Sequence, residues 1–179
     1  MNILFTILIV LLAIIVAILT TALFTKKIYG VTCSIVINKP LNEVFGYVKM
    51  LKNQHDYSKW GKIDPDMEKI YTATDGTVGF ISGWSSKNKN AGVGEQEITA
   101  IEEGKRIDYD LRFKEPFESN AKSFMTTEKV GDKATKVTWG FSGQMKYPLN
   151  FFLLIMNMEK MLGNDFQTGL NNLKVILEK

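Results

Sequence analysis

From Ile3 to Phe24 the chain runs 22 residues without a charge, a glycine or a proline, and only Thr6, Thr20 and Thr21 are polar. At about 1.5 Å of rise per residue, a helix of this length reaches roughly 33 Å, which matches a hydrocarbon core of about 30 Å. A helix also satisfies its own backbone hydrogen bonds, as the interior of a bilayer demands. The run predicts a transmembrane anchor over residues 1–25, a short linker over 26–30 and a single domain over 31–179. A cleaved signal peptide would need a basic start, a shorter apolar stretch and a small-x-small cleavage site. Here Met1-Asn2 begins the chain and Thr20-Thr21-Ala22 is a poor cleavage site. A buried core helix would carry a polar face, and this run has none. Lys26 and Lys27, with Lys39 further on, follow the run. By the positive-inside rule they favour a single-pass protein with its domain in the cytoplasm.

All 22 Lys+Arg and 19 Asp+Glu residues lie after the anchor, so the domain carries the net charge of +3. That suits proximity to an anionic leaflet. Scattered lysines do not form the clustered stripe that nucleic acid requires, so no nucleic-acid partner is expected. Cys33 is the only cysteine, which excludes an intrachain disulfide. It alternates with Val31, Ile35 and Ile37 and reads as a small core residue.

Hydrophobic periodicity orders the rest. Val31–Ile37 is a strand, and Pro40 opens a short helix over 41–50 with Val44, Phe45 and Val48 on one stripe. The polar stretch 52–59 reads as a turn or second short helix ending at Trp60-Gly61, and Asp64-Pro65-Asp66 as a turn. Strands follow over 69–74 and 77–85, the latter with Val78, Phe80 and Trp84 on one face. After a hairpin tip at residues 87–90 comes a strand over 92–101, where Gly92 and Gly94 suggest a bulge or close backbone approach. Residues 106–114 alternate most clearly: Ile107, Tyr109, Leu111 and Phe113 face one way, Asp108, Asp110, Arg112 and Lys114 the other. Strands over 119–130, of open phase, and 135–143, with Val137, Trp139 and Phe141 on one face, complete the sheet. From Pro148 the period turns helical, with Gly163 as a candidate kink or break. The order is α+β, with helices segregated to one side of an antiparallel sheet.

This order resembles the START-like, or SRPBCC, superfamily. The residues closest to its polyketide cyclase/dehydrase and lipid-transport branch are Lys39-Pro40-Leu41-Asn42-Glu43-Val44-Phe45, Tyr57-Ser58-Lys59-Trp60, Gly92-Val93-Gly94-Glu95, Arg106-Ile107, Leu111-Arg112-Phe113, Pro116-Phe117 and Thr135-Lys136-Val137-Thr138-Trp139. Asp165-Phe166 and Gly169-Leu170-Asn171-Asn172-Leu173-Lys174 extend the likeness to the C-terminus. The resemblance implies a helix-grip (Bet v 1/START-like) fold, a curved antiparallel sheet wrapped on a long C-terminal helix with a hydrophobic cavity between them. On the faces derived above, its ligand-binding lining would be Trp84, Tyr109, Leu111, Phe113, Trp139, Phe141, Phe152 and Met156, with Phe45 and Trp60 near a mouth. The blander reading is that these aromatics simply fill a core.

No catalytic set stands out. His55, the only histidine, sits in the polar segment Asn53-Gln54-His55-Asp56 and reads as solvent-exposed. It would serve as a general base only if that segment rimmed the pocket. One His and one Cys do not make a metal site, and neither a nucleophile-elbow nor a phosphate-loop motif occurs. Gly92-x-Gly94 lacks the third glycine of a dinucleotide fingerprint, and no cofactor is expected. The expected function is membrane-tethered binding or transfer of a lipid or other hydrophobic small molecule, with the bilayer a partner through residues 3–24. The alternatives are a cyclase- or hydratase-type enzyme on an apolar substrate and a non-catalytic protein-interaction or stress-response module. A closed interior favours the last, His55, Asp56 or Tyr57 at an open mouth favours the enzyme, and an apolar cavity facing the membrane favours the carrier.

Overall fold

The computed structural model describes residues 2–179. The helix α1 (Ile3–Phe24) holds the apolar run, with its side chains mostly exposed. Among the described residues it is the one helix long and apolar enough to cross a membrane. Strand β1 (Ile28–Ile37) begins three residues before the expected Val31, and Val31, Cys33, Ile35 and Ile37 turn inward as the alternation requires. After α2 (Leu41–Lys49), a 3-10 turn at Leu51–Asn53 leads into α3 (Gln54–Tyr57). The Asp75 carboxylate accepts from the backbone N–H groups of Leu51 (2.8 Å) and Lys52 (3.3 Å), fixing the start of that 3-10 turn.

The sheet follows as β2 (Glu68–Thr72), β3 (Ile81–Ser85), β4 (Val93–Glu102), β5 (Arg106–Glu115), β6 (Ser119–Gly131) and β7 (Ala134–Gln144). All neighbours are antiparallel in the order β1-β7-β6-β5-β4-β3-β2. Register shifts at Val93/Gly94, Ile98/Ala100 and Lys129/Gly131 let the sheet bend, and the first lies at the expected glycine pair. The open phase of β6 resolves with Ala121, Ser123, Met125 and Thr127 inward. A 3-10 segment (Leu149–Leu154) and α4 (Met158–Leu177) close the chain. Helix α4 packs on β1, β7 and α3, and Asn172 Nδ2 ties it to α3 through the Tyr57 carbonyl, 3.0 Å away. The helix-grip arrangement of sheet and C-terminal helix is therefore present.

Two expectations fail. The strand over 77–85 begins only at Ile81, because Gly76 (φ 74°) and Gly79 (φ 87°) take left-handed conformations and turn the chain. Val78 is exposed while Phe80 is fully buried, so they share no face. The second failure is at the C-terminus, where Gly163 does not break the helix. The break falls at Ile155–Asn157, and Asn157 caps α4 by accepting from the Lys160 N–H at 2.9 Å. Gly163 lies inside α4 where it crosses β1, and its carbonyl lies 3.5 Å from the Cys33 thiol, close enough for a weak S–H···O contact.

The sequence-distant contact that sets the place of α1 is made by Asn150. This fully buried residue donates from Nδ2 to the carbonyls of Ala22 (2.7 Å) and Thr25 (3.0 Å). Those acceptors lie at the end of α1, where carbonyls run short of helical partners and that of Ala22 otherwise receives, among the described residues, only the Thr25 N–H at 3.4 Å. The 3-10 segment thus caps α1.

Candidate functional site

The inward face of the sheet divides along its length. On β5, Ile107 and Tyr109 are buried, whereas Leu111 and Phe113 are only partly so. On β7 the same passage runs from Val137 through Trp139 to Phe141. The half nearer the β1–α2 junction is a closed core built on Ile37, Val44, Phe45, Ile98, Ile107, Met125 and Val137. The other half encloses a cavity of about 400 Å³.

Trp139 sits between the two halves. Its indole N–H donates to Ser123 Oγ at 3.2 Å, and Ser123 in turn donates to the Gly140 carbonyl at 2.8 Å. Its ring meets Phe166 of α4 at 4.5 Å and Tyr57 edge-on at 5.7 Å between centroids. Phe141, Leu111, Phe113, Trp84, Trp60 and Phe166 line the cavity around it. Trp84 is held edge-on to Phe113, with its N–H donating to the Ala91 carbonyl at 3.0 Å. Gly94 leaves room for that ring, since a Cβ there would overlap it. The mouth is rimmed by Tyr29, the β3–β4 tip at Lys89-Asn90-Ala91, Glu115-Pro116-Phe117 and Leu162. Strand register sets all of these at one end of the sheet, where β1 begins and β7 ends, and α1 leaves the domain there as well.

Of the ten expected lining residues, Trp60, Trp84, Leu111, Phe113, Trp139 and Phe141 come together at the cavity. Phe45 and Tyr109 lie in the closed core instead. Phe152 and Met156 are exposed and lie outside the cavity lining, because the 3-10 segment and the break before Asn157 keep them out of α4.

His55 departs from its expected exposure. It is half-buried, lines the cavity and lies 3.3 Å from Ser82 Oγ through Nε2. Burial, reinforced by the charge of Lys69, lowers its pKa from the usual value, and Asp56 only partly opposes this. Protonation is therefore easier in the unfolded chain. The stability contributed by a neutral His55 is complete above about pH 6.5 and is lost as pH falls through the lower native pKa. The urea midpoint of the full chain should fall on acidification from about pH 7 to about pH 5, and fall less in His55→Gln. Equal falls in both chains would remove His55 as a cause. Tyr57, 1 % exposed, has its hydroxyl 3.4 Å from Met125 Sδ, and burial raises its pKa far above the ordinary phenol value. It is a neutral core residue, and Asp56 is exposed outside the lining. No carboxylate is hydrogen-bonded to His55 Nδ1 among the described residues, so His55 and Ser82 do not complete a nucleophilic triad.

Sequence reasoning passed over Gln96, Ser82 and Ser123, all buried polar residues on the cavity wall. Each occupies an inward position of an alternating strand, and a polar residue at such a position was the available signal.

Three solved structures show the same fold over nearly their whole length. A protein from Nitrosospira multiformis is 19% identical with a TM-score of 0.58, over 83% of this chain and 96% of that one. Norcoclaurine synthase from Thalictrum flavum, in complex with dopamine and hydroxybenzaldehyde, is 7% identical with a TM-score of 0.62, over 87% of this chain and 89% of that one. Ara h 8.0201 is 13% identical with a TM-score of 0.55, over 84% and 97%. No curated protein matches the sequence. The family model for polyketide cyclase/dehydrase and lipid transport matches residues 30–178, and family and fold together support hydrophobic ligand binding in general. With its seven-stranded sheet, its C-terminal helix and that match over most of its length, the chain belongs to the polyketide cyclase/dehydrase and lipid transport family of the SRPBCC superfamily.

Proposed function

We propose that the protein is a membrane-tethered carrier that holds a lipid or other apolar small molecule in the cavity, with α1 as a retained anchor. The observation that carries this reading is that the cavity mouth and the exit of α1 share one end of the sheet. A cavity so oriented takes an apolar ligand from the bilayer with a short passage through water, and tethering raises its effective concentration there. The surface around the exit supports the reading. Phe24, Leu149, Phe152, Leu154 and Ile155 are exposed, as is Phe117 at 81 % on the rim. Exposed apolar groups gathered in this way suit the headgroup boundary of a membrane. Lys26 and Lys27 at the exit favour the cytoplasmic leaflet.

His55 in the lining is the observation that favours the second reading, an enzyme acting on an apolar substrate with His55 as a proton acceptor.

The carrier reading is tested on the full chain. The protein should stay in the membrane fraction after alkaline carbonate extraction. Native mass spectrometry from amphipol should reveal a bound apolar molecule. Leu111→Trp, which fills the cavity, should abolish that mass difference while the unfolding curve stays cooperative. A clean apo mass with no uptake of offered lipids would remove the carrier, and release by carbonate would remove the anchor.

A further inference from the structure

Among the described residues, Gln96 is the one cavity-lining residue with a buried polar atom left without a hydrogen-bond partner. It is 7 % exposed, and its Nε2 donates to nothing among the described residues. Buried amide groups are nearly always satisfied, because an unmet donor forfeits its hydration. Gln96 stands directly opposite Ser82 on β3, and Ser82 is itself 4 % exposed. His55 reaches Ser82 from α3 at 3.3 Å. Three polar side chains from separate elements therefore meet on one wall of an otherwise largely apolar cavity.

The wall has a surplus of donors. If Ser82 donates to His55 Nε2, the Gln96 amide remains as a free donor. If His55 donates instead, the Ser82 hydroxyl is free as well. The wall has no fixed positive charge. The only charged residues in the lining are Lys89 and Glu115, both at the mouth. A carboxylate or phosphate at the Gln96 wall would gain a counter-ion only by protonating His55, against the burial that keeps that ring neutral. A neutral oxygen incurs no such cost.

The geometry points to a subsite at Gln96, Ser82 and His55 for a neutral hydrogen-bond acceptor, a ketone, ester or amide carbonyl, carried inside an otherwise apolar ligand. This rests on the carrier reading of the cavity and names the class of molecule it takes. The apolar body lies against Leu111, Phe113, Trp139 and Phe141, and the carbonyl accepts from Gln96 Nε2.

The test pairs 2-decanone with decane, titrated into the full chain in amphipol and read by tryptophan fluorescence. The ketone-to-alkane affinity ratio should be about tenfold higher in the wild type than in Gln96→Leu, the value of one hydrogen bond made in a dry site, because in the variant the buried carbonyl forfeits its hydration without a partner. Gln96→Met, with an unbranched side chain, guards against a packing defect and should behave in the same way. The infrared carbonyl stretch of bound 2-decanone should lie at lower frequency in the wild type than in either variant. A ketone-to-alkane ratio that is the same in the wild type and both variants overturns the subsite and leaves the carrier standing. Binding of neither probe overturns both.

Discussion

Replacing Trp139 with alanine should reduce stability by about 3 to 5 kcal/mol, the range for truncating a buried aromatic side chain. A domain of this size has about 5 to 15 kcal/mol in total, so the variant should stand close to unfolding at ambient temperature. The cost has three sources. Trp139 is 2 % exposed, and its ring is enclosed by Tyr57, Phe166 and the backbone of Gly169. Truncation leaves a void that cannot collapse, because it opens into the existing cavity. The Ser123 hydroxyl also loses the indole N–H. Urea unfolding of the full chain in amphipol measures the loss, and Trp139→Phe should keep roughly half of the stability at stake. A shift below about 1 kcal/mol for alanine would mean that Trp139 does not hold sheet and helix together.

The second large effect is expected at Gly92, where two constraints coincide. Its φ is 62°, in the left-handed region, and a Cβ there would collide with the carbonyl oxygen of Glu115. The obstacle is backbone of the neighbouring strand and cannot rotate away. Gly92→Ala should destabilise by about 3 kcal/mol through strain and overpacking together. It should also spread the rim, since Ala91 and Glu115 both line the mouth. Gly46 in α2 provides the contrast, because a Cβ there meets nothing within 4 Å. Gly46→Ala should stabilise the chain by up to about 1 kcal/mol, as helix propensity predicts. Equal urea midpoints for the two variants would refute the steric argument.

What the sequence disclosed depended on the kind of signal. The apolar run of α1 and the alternation of β5 are long and periodic, so type and inward face were legible. Period alone does not give depth. Tyr109 and Leu111 share a face of β5, yet one is in closed core and the other on the cavity wall. That difference arises where α2 and α3 cover the sheet, a tertiary fact. Phe152 and Met156 were assigned to a continuous helix because the apolar spacing continued. The cap at Asn157, an Asn accepting from the N–H three residues on, is what ends that continuity in the structure. Gln96 and Ser82 were missed for a different reason. Apolar periodicity marks inward faces by their apolar residues, and Gln96 and Ser82 are polar exceptions on such faces.

Three residues, Thr25 to Lys27, separate α1 from β1, and alone they would let the domain pivot over about 10 Å. The Asn150 clamp removes that hinge. With its amide on two carbonyls at the end of α1, helix and domain turn as one body, so a roll of the helix about its axis swings the cavity mouth round like a key in a lock. On the carrier reading proposed above, a molecule so clamped would not lean out of its bilayer to search: its cargo would arrive by lateral diffusion to the patch beneath it, and a receiving membrane would have to come to the mouth.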